Sequence, residues 1–239
     1  MNTDHALVSP RPATPTRTPL TVERIVDAAL AIADRQGVEA VVMRRIAAEL
    51  DCATMSLYRH VRTKDELHDL MVDAAIGTSP PPEQPSGDWR ADLTALAHAH
   101  RTAARRHPWL PQLAATRPTL SPHAMATTAF AHAVLDRLDL PTPLTVNAIN
   151  TLLSFVHGFV QTEEHRRRRR GMPDRRGEPS VPPAVSTSPQ QPINHPHTSR
   201  IVNESEPHPN TDTEFTWQLD RVLDGLAAVL PASKPNPGG

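Results

Sequence analysis

Residues 43–67, MRRIAAELDCATMSLYRHVRTKDEL, constrain the fold more than any other stretch of the chain. Met43, Ile46, Ala47 and Leu50 recur at i, i+3, i+4 and i+7, which puts one apolar stripe on a two-turn helix. Asp51-Cys52 interrupts the pattern, and Asp is among the few non-glycine residues that tolerate a left-handed turn position. A second short helix is expected over Ala53–His60, with Leu57 inward and Thr54, Ser56, Tyr58 and Arg59 left for other surfaces. Thr63-Lys64-Asp65-Glu66 reads as a capping box opening a third helix, with Leu67, Leu70, Met71 and Ala74 on its inner face. Helix, tight turn and short polar helix together make a helix-turn-helix, a unit that sets its second helix in the major groove of DNA.

Charge supports that reading locally rather than globally. The 239-residue chain carries a formal net charge of −1, so nothing marks it as a bulk polyelectrolyte binder. Between residues 44 and 64, however, Arg44, Arg45, Arg59, Arg62 and Lys64 face only Glu49 and Asp51, a local balance of 5 − 2 = +3. A basic patch on a neutral protein suits phosphate contact. Cys52 is the single cysteine, which excludes an intrachain disulfide and fits a reducing compartment; its place in the motif turn reads as packing rather than redox sensing. The N-terminus lacks a basic segment followed by an apolar run, and no uncharged stretch reaches about 18 apolar residues. A cytoplasmic protein without membrane association is expected.

The rest of the chain reads as helices separated by proline. Residues 1–17 form an unpatterned arm. Thr21 caps a helix with Val22, Ile25, Val26, Ala29 and Ala33 on one stripe, ending at Gly37. This helix, the motif and the helix from Lys64 to about Ile76 give a head spanning 18–77, followed by a punctuated linker at 78–87. A second helical domain is expected over 88–230. Asp88 caps its first helix, which turns Trp89, Leu93, Leu96, Ala97, His100 and Ala104 inward; Pro108–Ser121 holds a short helix and a turn. Pro122–Leu138 is helical in pattern, and the longest helix runs from Leu144 to Arg168 with Ile149, Leu152, Leu153, Val156 and Val160 on its stripe. Such a broad apolar face needs burial on more than one side, and Gly158 would let another helix come close. Residues 171–213 are proline-rich and aperiodic and read as a disordered insertion; order returns at Phe215 and Trp217, with a last helix to Leu230 and a tail at 231–239. The fold class is all-α.

AAELDCATMSLYRHVRTKDEL is similar to the DNA-binding segment of the tetracycline-repressor family, whose wording runs close to AxxLGVxxxxLYxHxxxKxxL. Leu57-Tyr58, His60, Lys64 and Leu67 stand in register without a gap. Two departures exist: Asp51 occupies a position usually held by Gly, and Val42 one where Ser or Thr usually caps the helix, a loss of about 1 kcal/mol. Trp109 after His-Pro, the triplet Thr116-Arg117-Pro118 and the closing FTWQLDRVLDGLAAVL resemble the C-terminal domain of the same family. The resemblance implies a head whose second helix reads the major groove, with Tyr58, His60 and Lys64 on phosphates, Thr54 and Met55 facing base edges, and Arg44 at a base- or phosphate-contacting position. It implies a homodimeric repressor of a palindromic double-stranded DNA operator, released by a small molecule held in the C-terminal domain. Arg can bond guanine bidentately, and Thr and Met can contact a thymine methyl.

For the ligand pocket, Leu96, Trp109, Phe130, Phe155 and Phe159 are the apolar candidates, with His100, Arg117, Asn147 and His157 as polar ones. Each of them could equally pack a filled core. Thirteen His invite a metal reading, but His98, His100, His107, His123 and His157 show no tight ligand spacing. By the resemblance, Leu113 and Thr162 stand where tetracycline-binding members hold a drug-bound magnesium, so no metal or cofactor is expected. Arg166–Arg170 reads as a solvated helix end, where cations are favourable in themselves. Ser154 and His157 lack the elbow, glycine loop or carboxylate that catalysis would need. An enzyme or small-molecule-binding module with an accessory DNA-binding head is the competing reading.

Overall fold

The computed structural model describes residues 19–116, 121–169 and 211–230, and every regular element among them is helical. The head begins with α1 (Val22–Gln36), where the Thr21 hydroxyl accepts the Arg24 N–H at 3.3 Å. It stops at Gly37, whose φ of 85° suits a residue without Cβ. After a 3₁₀ turn at Val38–Ala40, α2 (Met43–Glu49) ends as the sequence suggests: Asp51 takes φ 48°, and Cys52 N–H donates back to the Ala47 carbonyl at 2.9 Å. That bond is the long closure of a Schellman motif, made here without glycine. Val42 supplies no side-chain cap to α2.

The second motif helix, α3 (Thr54–Leu57), is shorter than expected. The N–H groups of both His60 and Val61 bond to the Leu57 carbonyl at 2.9 Å, so the ladder closes there and Tyr58–His60 form a turn that drives Val61 into the core. α4 (Lys64–Gly77) opens with the Thr63 hydroxyl accepting Glu66 N–H at 3.0 Å. The return half of the capping box is displaced by one residue, because the Glu66 carboxylate accepts Arg62 N–H at 2.7 Å. Ile25, Ile32, Ile46, Leu57, Leu67 and Met71 make the head core.

The body comprises α5 (Trp89–Arg106), α6 (Leu110–Thr116), α7 (Pro122–Asp136), α8 (Thr142–Arg169) and α9 (Thr211–Ala227). The Asp88 carboxylate caps α5 by accepting Arg90 and Ala91 N–H. Leu93, Leu96, Leu135, Leu152, Phe215 and Leu223 fill a second core. α9 begins at Thr211, inside the span read as an insertion. Arg101 and Arg105 of α5 explain this, gripping Asp212 at 2.8 and 2.9 Å while Arg101 also donates to the Thr211 carbonyl. The arm at 1–17, the remainder of the insertion, and the tail at 231–239 lie outside the described residues.

Two carboxylates of the head reach into the body. The Asp34 side chain on α1 is only 6% exposed and accepts the Trp109 indole N–H at 2.8 Å, with His107 Nδ1 at 2.9 Å from the same oxygen. Asp73 on α4 accepts the N–H groups of His123 and Ala124 at 2.8 and 3.2 Å and meets His123 Nδ1 at 2.9 Å. It thereby caps α7 from another element, where Ser121 makes no cap of its own. Gly77 continues this junction: a Cβ there would lie 2.9 Å from the His123 ring.

Asp34→Ala leaves two buried donors unmet, each costing about 1–3 kcal/mol. The variant is expected to lose about 3 kcal/mol of unfolding free energy in urea titrations at fixed protein concentration. An unchanged midpoint and slope would mean that this junction does not stabilise the chain.

Candidate functional site

On the head, the structure leaves the six DNA-contact candidates available. Arg44 in the first turn of α2, Met55 on α3, Tyr58 and His60 in the following turn, and Lys64 at the start of α4 are all exposed, while Thr54 is half-buried. Leu57 beneath them is fully buried and pins α3 to the head core. Met55 is 73% exposed, an unusual place for a large apolar side chain unless it meets a partner. Of the two acids in the segment, Glu49 is paired with Arg35 at 2.6 Å, which ties the end of α2 to the end of α1 and leaves the patch strongly basic. Arginine forks, a thymine-compatible thioether and a phenol on contiguous elements suit duplex DNA.

In the body, the structure brings some of the pocket candidates together and disperses others. His100 on α5 and His157 on α8 face each other with ring centroids 6.2 Å apart. His100 is buried, and its Nε2 has no hydrogen-bond partner. Burial, reinforced by the neighbouring His157, pushes the His100 pKa down to about 4, and burial lowers that of His157 as well. Both rings are therefore neutral at pH 7. Leu96 lies one turn before His100 and is fully buried. Phe155 and Phe159 pack on Phe215 at 5.6 and 5.1 Å, and the Arg101 guanidinium stands over Phe215 at 4.4 Å. Phe130 is buried in the same core.

Two candidates do not join them. Trp109 packs in the core of the head with Leu110 and Leu113, because its indole N–H is claimed by Asp34; it is a junction residue. Asn147 is exposed on α8, on the side away from Ala148 and Ile149. Arg117 lies outside the described residues. Ser154 faces a cleft beside α9, whereas His157 faces α5, so the two do not form a pair. That cleft, of about 370 Å³, runs between α8 and α9 and is lined by Phe155, Gly158, Phe159 and Thr162 from one side and Glu214 and Gln218 from the other.

The residues that sequence reasoning missed are polar groups joining elements. Asp34, Asp73 and the buried Arg101–Glu163 pair, 3.6 Å apart, fall outside any apolar periodicity. A lone signal existed for one of them: Arg101 sits directly after the inward-facing His100. Among the described residues, no group of three His, Cys, Asp or Glu could hold a metal ion, and no helix is long and apolar enough to cross a membrane.

Comparison with known proteins accounts for both halves. Residues 25–70 match the family described as bacterial regulatory proteins, tetR family, and residues 81–230 match the tetracyclin repressor-like C-terminal domain. The HTH-type transcriptional repressor DrrR1 of Streptomyces coeruleorubidus is 36% identical over 227 residues, covering 92% of this chain and 82% of that protein. An HTH-type transcriptional regulator of Saccharopolyspora erythraea is 36% identical over 144 residues, 60% of this chain and 61% of the relative. Among solved structures, the TetR family protein ActR of Streptomyces coelicolor in complex with actinorhodin superposes with a TM-score of 0.69 at 26% identity, covering 90% of this chain and 100% of ActR. With an exposed helix-turn-helix, a helical body and matches along both, the chain belongs to the tetR family of bacterial regulatory proteins and is a DNA-binding transcriptional regulator.

Proposed function

We propose that the chain represses transcription as a homodimer on a palindromic operator and leaves the DNA when a small molecule enters its helical body. The observation that carries this reading is the pair of carboxylate junctions: Asp34 and Asp73 tie α1 and α4 of the head to the α5–α6 connection and the start of α7. A displacement within the body is thereby passed to the two helices that carry the head. Repression is supported by the relative named as a repressor, and an effector by the ActR complex.

On the DNA side, Arg44, Thr54 and Met55 are assigned to base edges, and Tyr58, His60 and Lys64 to phosphates. On the body side, the effector is an apolar aromatic molecule that offers a hydrogen-bonding group to His100 and His157. An unmet buried nitrogen costs about 1–3 kcal/mol, which a ligand reaching His100 Nε2 recovers. Phe155 and Phe159 supply aromatic surface on the same helix as His157.

Operators selected from random DNA by the purified protein are expected to be two-fold symmetric. Lys64→Ala should weaken binding to every sequence alike and reduce the slope of log K against log salt by about one unit. Arg44 and Thr54 substitutions should instead change the preferred base, at about 1–3 kcal/mol per lost contact. A Lys64→Ala variant with unchanged affinity and slope would place the docking register elsewhere.

The His100 pair sets a pH dependence whose sign follows from its depressed pKa. Below pH ~6.5 an unfolded His takes up a proton that folded His100 refuses until pH falls to about 4. Stability is therefore complete above that window and declines through it, by about 2 kcal/mol between pH 7 and pH 5. His157 acts in the same direction. Urea titrations of wild type and His100→Leu at both pH values check this; equal acid losses in the two proteins would show that His100 is not the group responsible.

A further inference from the structure

Two acids of the basic head are held in a way that leaves its arginines unpaired. Arg45 is exposed in the first turn of α2, beside Arg44, and its guanidinium makes no ion pair among the described residues. The acid of its own helix is Glu49, four residues on, and residues at that spacing share a helix face. Glu49 nevertheless reaches the other way. Its Oε1 accepts from Arg35 Nη2, in the last turn of α1, at 2.6 Å. Glu66 behaves alike: its carboxylate is taken by the Arg62 main-chain N–H at 2.7 Å, and the Arg62 guanidinium makes no ion pair among the described residues.

In a helix-turn-helix the first helix crosses the phosphate backbone while the second enters the groove. An exposed arginine on α2 is therefore placed for a phosphate. A bare carboxylate on the same face would oppose that contact twice, by drawing the guanidinium to itself and by repelling the phosphate. Arg35 removes both effects. The pair is open to water, with side chains 33% and 42% exposed, so it adds little to stability. What it changes is the charge on the face of α2.

We propose that Arg45 is a further phosphate-contacting residue, and that Arg35 is a positioning residue that keeps Arg45 available by holding Glu49. This rests on the docking register of α2 and α3 proposed above and adds a contact and its support to it.

Full-length variants are titrated against the selected operator and against an unrelated duplex, by fluorescence anisotropy over a salt series. Arg45→Ala should weaken binding to both duplexes alike and reduce the slope of log K against log salt by about one unit. Arg35→Ala should weaken operator binding on the order of threefold to tenfold at fixed salt, with thermal unfolding unchanged. Adding Glu49→Gln to it should restore wild-type binding, because the released carboxylate is gone. In an Arg45→Ala background, Arg35→Ala should lose less affinity than it does alone, a non-additivity that the loss of a distant positive charge does not produce. A wild-type slope in Arg45→Ala, while Lys64→Ala still reduces it, overturns the Arg45 contact and leaves the register standing. Unchanged slopes in both overturn the register as well. An Arg35→Ala protein that binds as wild type, or whose loss is not reversed by Glu49→Gln or is undiminished in the Arg45→Ala background, overturns the part given to Arg35.

Discussion

A buried carboxylate at the seam between head and body is the interaction on which the arrangement depends. Removing Asp34 from water is costly unless donors meet it, and here the donors come from His107 and Trp109, at the end of α5 and just before α6. The carboxylate therefore dictates where the α5–α6 connection must lie against α1. Asp73 imposes a second condition, since the first N–H groups of α7 have no cap without it. With both met, α1 and α4 are held by polar bonds of fixed geometry and not only by apolar packing, which tolerates sliding. For the homodimer proposed above, whose two heads must stand ~34–36 Å apart to read successive major grooves, such directional fixing matters.

The body shows the same division between polar alignment and apolar filling. Arg101 and Glu163 are both nearly inaccessible, and with Arg105 and Asp212 they bind α5, α8 and the start of α9 together. A buried pair of this kind adds little net stability over apolar packing, but breaking it by removing one partner is expensive. Its effect is to fix register among three helices. His100, the neighbour of Arg101 on α5, is the contrasting group: buried, neutral and with one nitrogen unmet. On the proposed reading, the ion network holds in place the helices between which an effector meets His100.

Most of the architecture was legible in the amino-acid sequence, because helix stripes and caps are local. Thr21, Thr63 and Asp88 each accept the backbone N–H groups their positions predict, and Asp51 adopts the left-handed turn that its chemistry permits. What was not legible is nonlocal. Helicity over Ala53–His60 is permitted by the pattern, but Val61 must enter the core and the chain turns early to put it there. Thr211–Thr213 look like the end of a proline-rich stretch until Arg101 and Arg105, about 110 residues earlier, are seen to hold them. Trp109 is an apolar residue in a helical domain by sequence, and only the position of Asp34 reveals that it belongs to the head. Asn147 illustrates the reverse: polarity made it a pocket candidate, but its side of α8 faces solvent.

Coupling between body and head through Asp34 and Asp73 is the central claim, and linkage makes it measurable. If a molecule bound in the body favours the DNA-incompetent arrangement, operator DNA must weaken its binding by the same factor by which it weakens operator binding. Aromatic compounds that raise the melting temperature of the purified protein provide the ligands. Each is then titrated by calorimetry into the free protein and into the operator complex. The predicted result is a lower affinity in the complex, by about 5–150-fold for a typical coupling of 1–3 kcal/mol. Equal affinities in the two titrations, for ligands whose binding is lost on substituting His100 or His157, would contradict it.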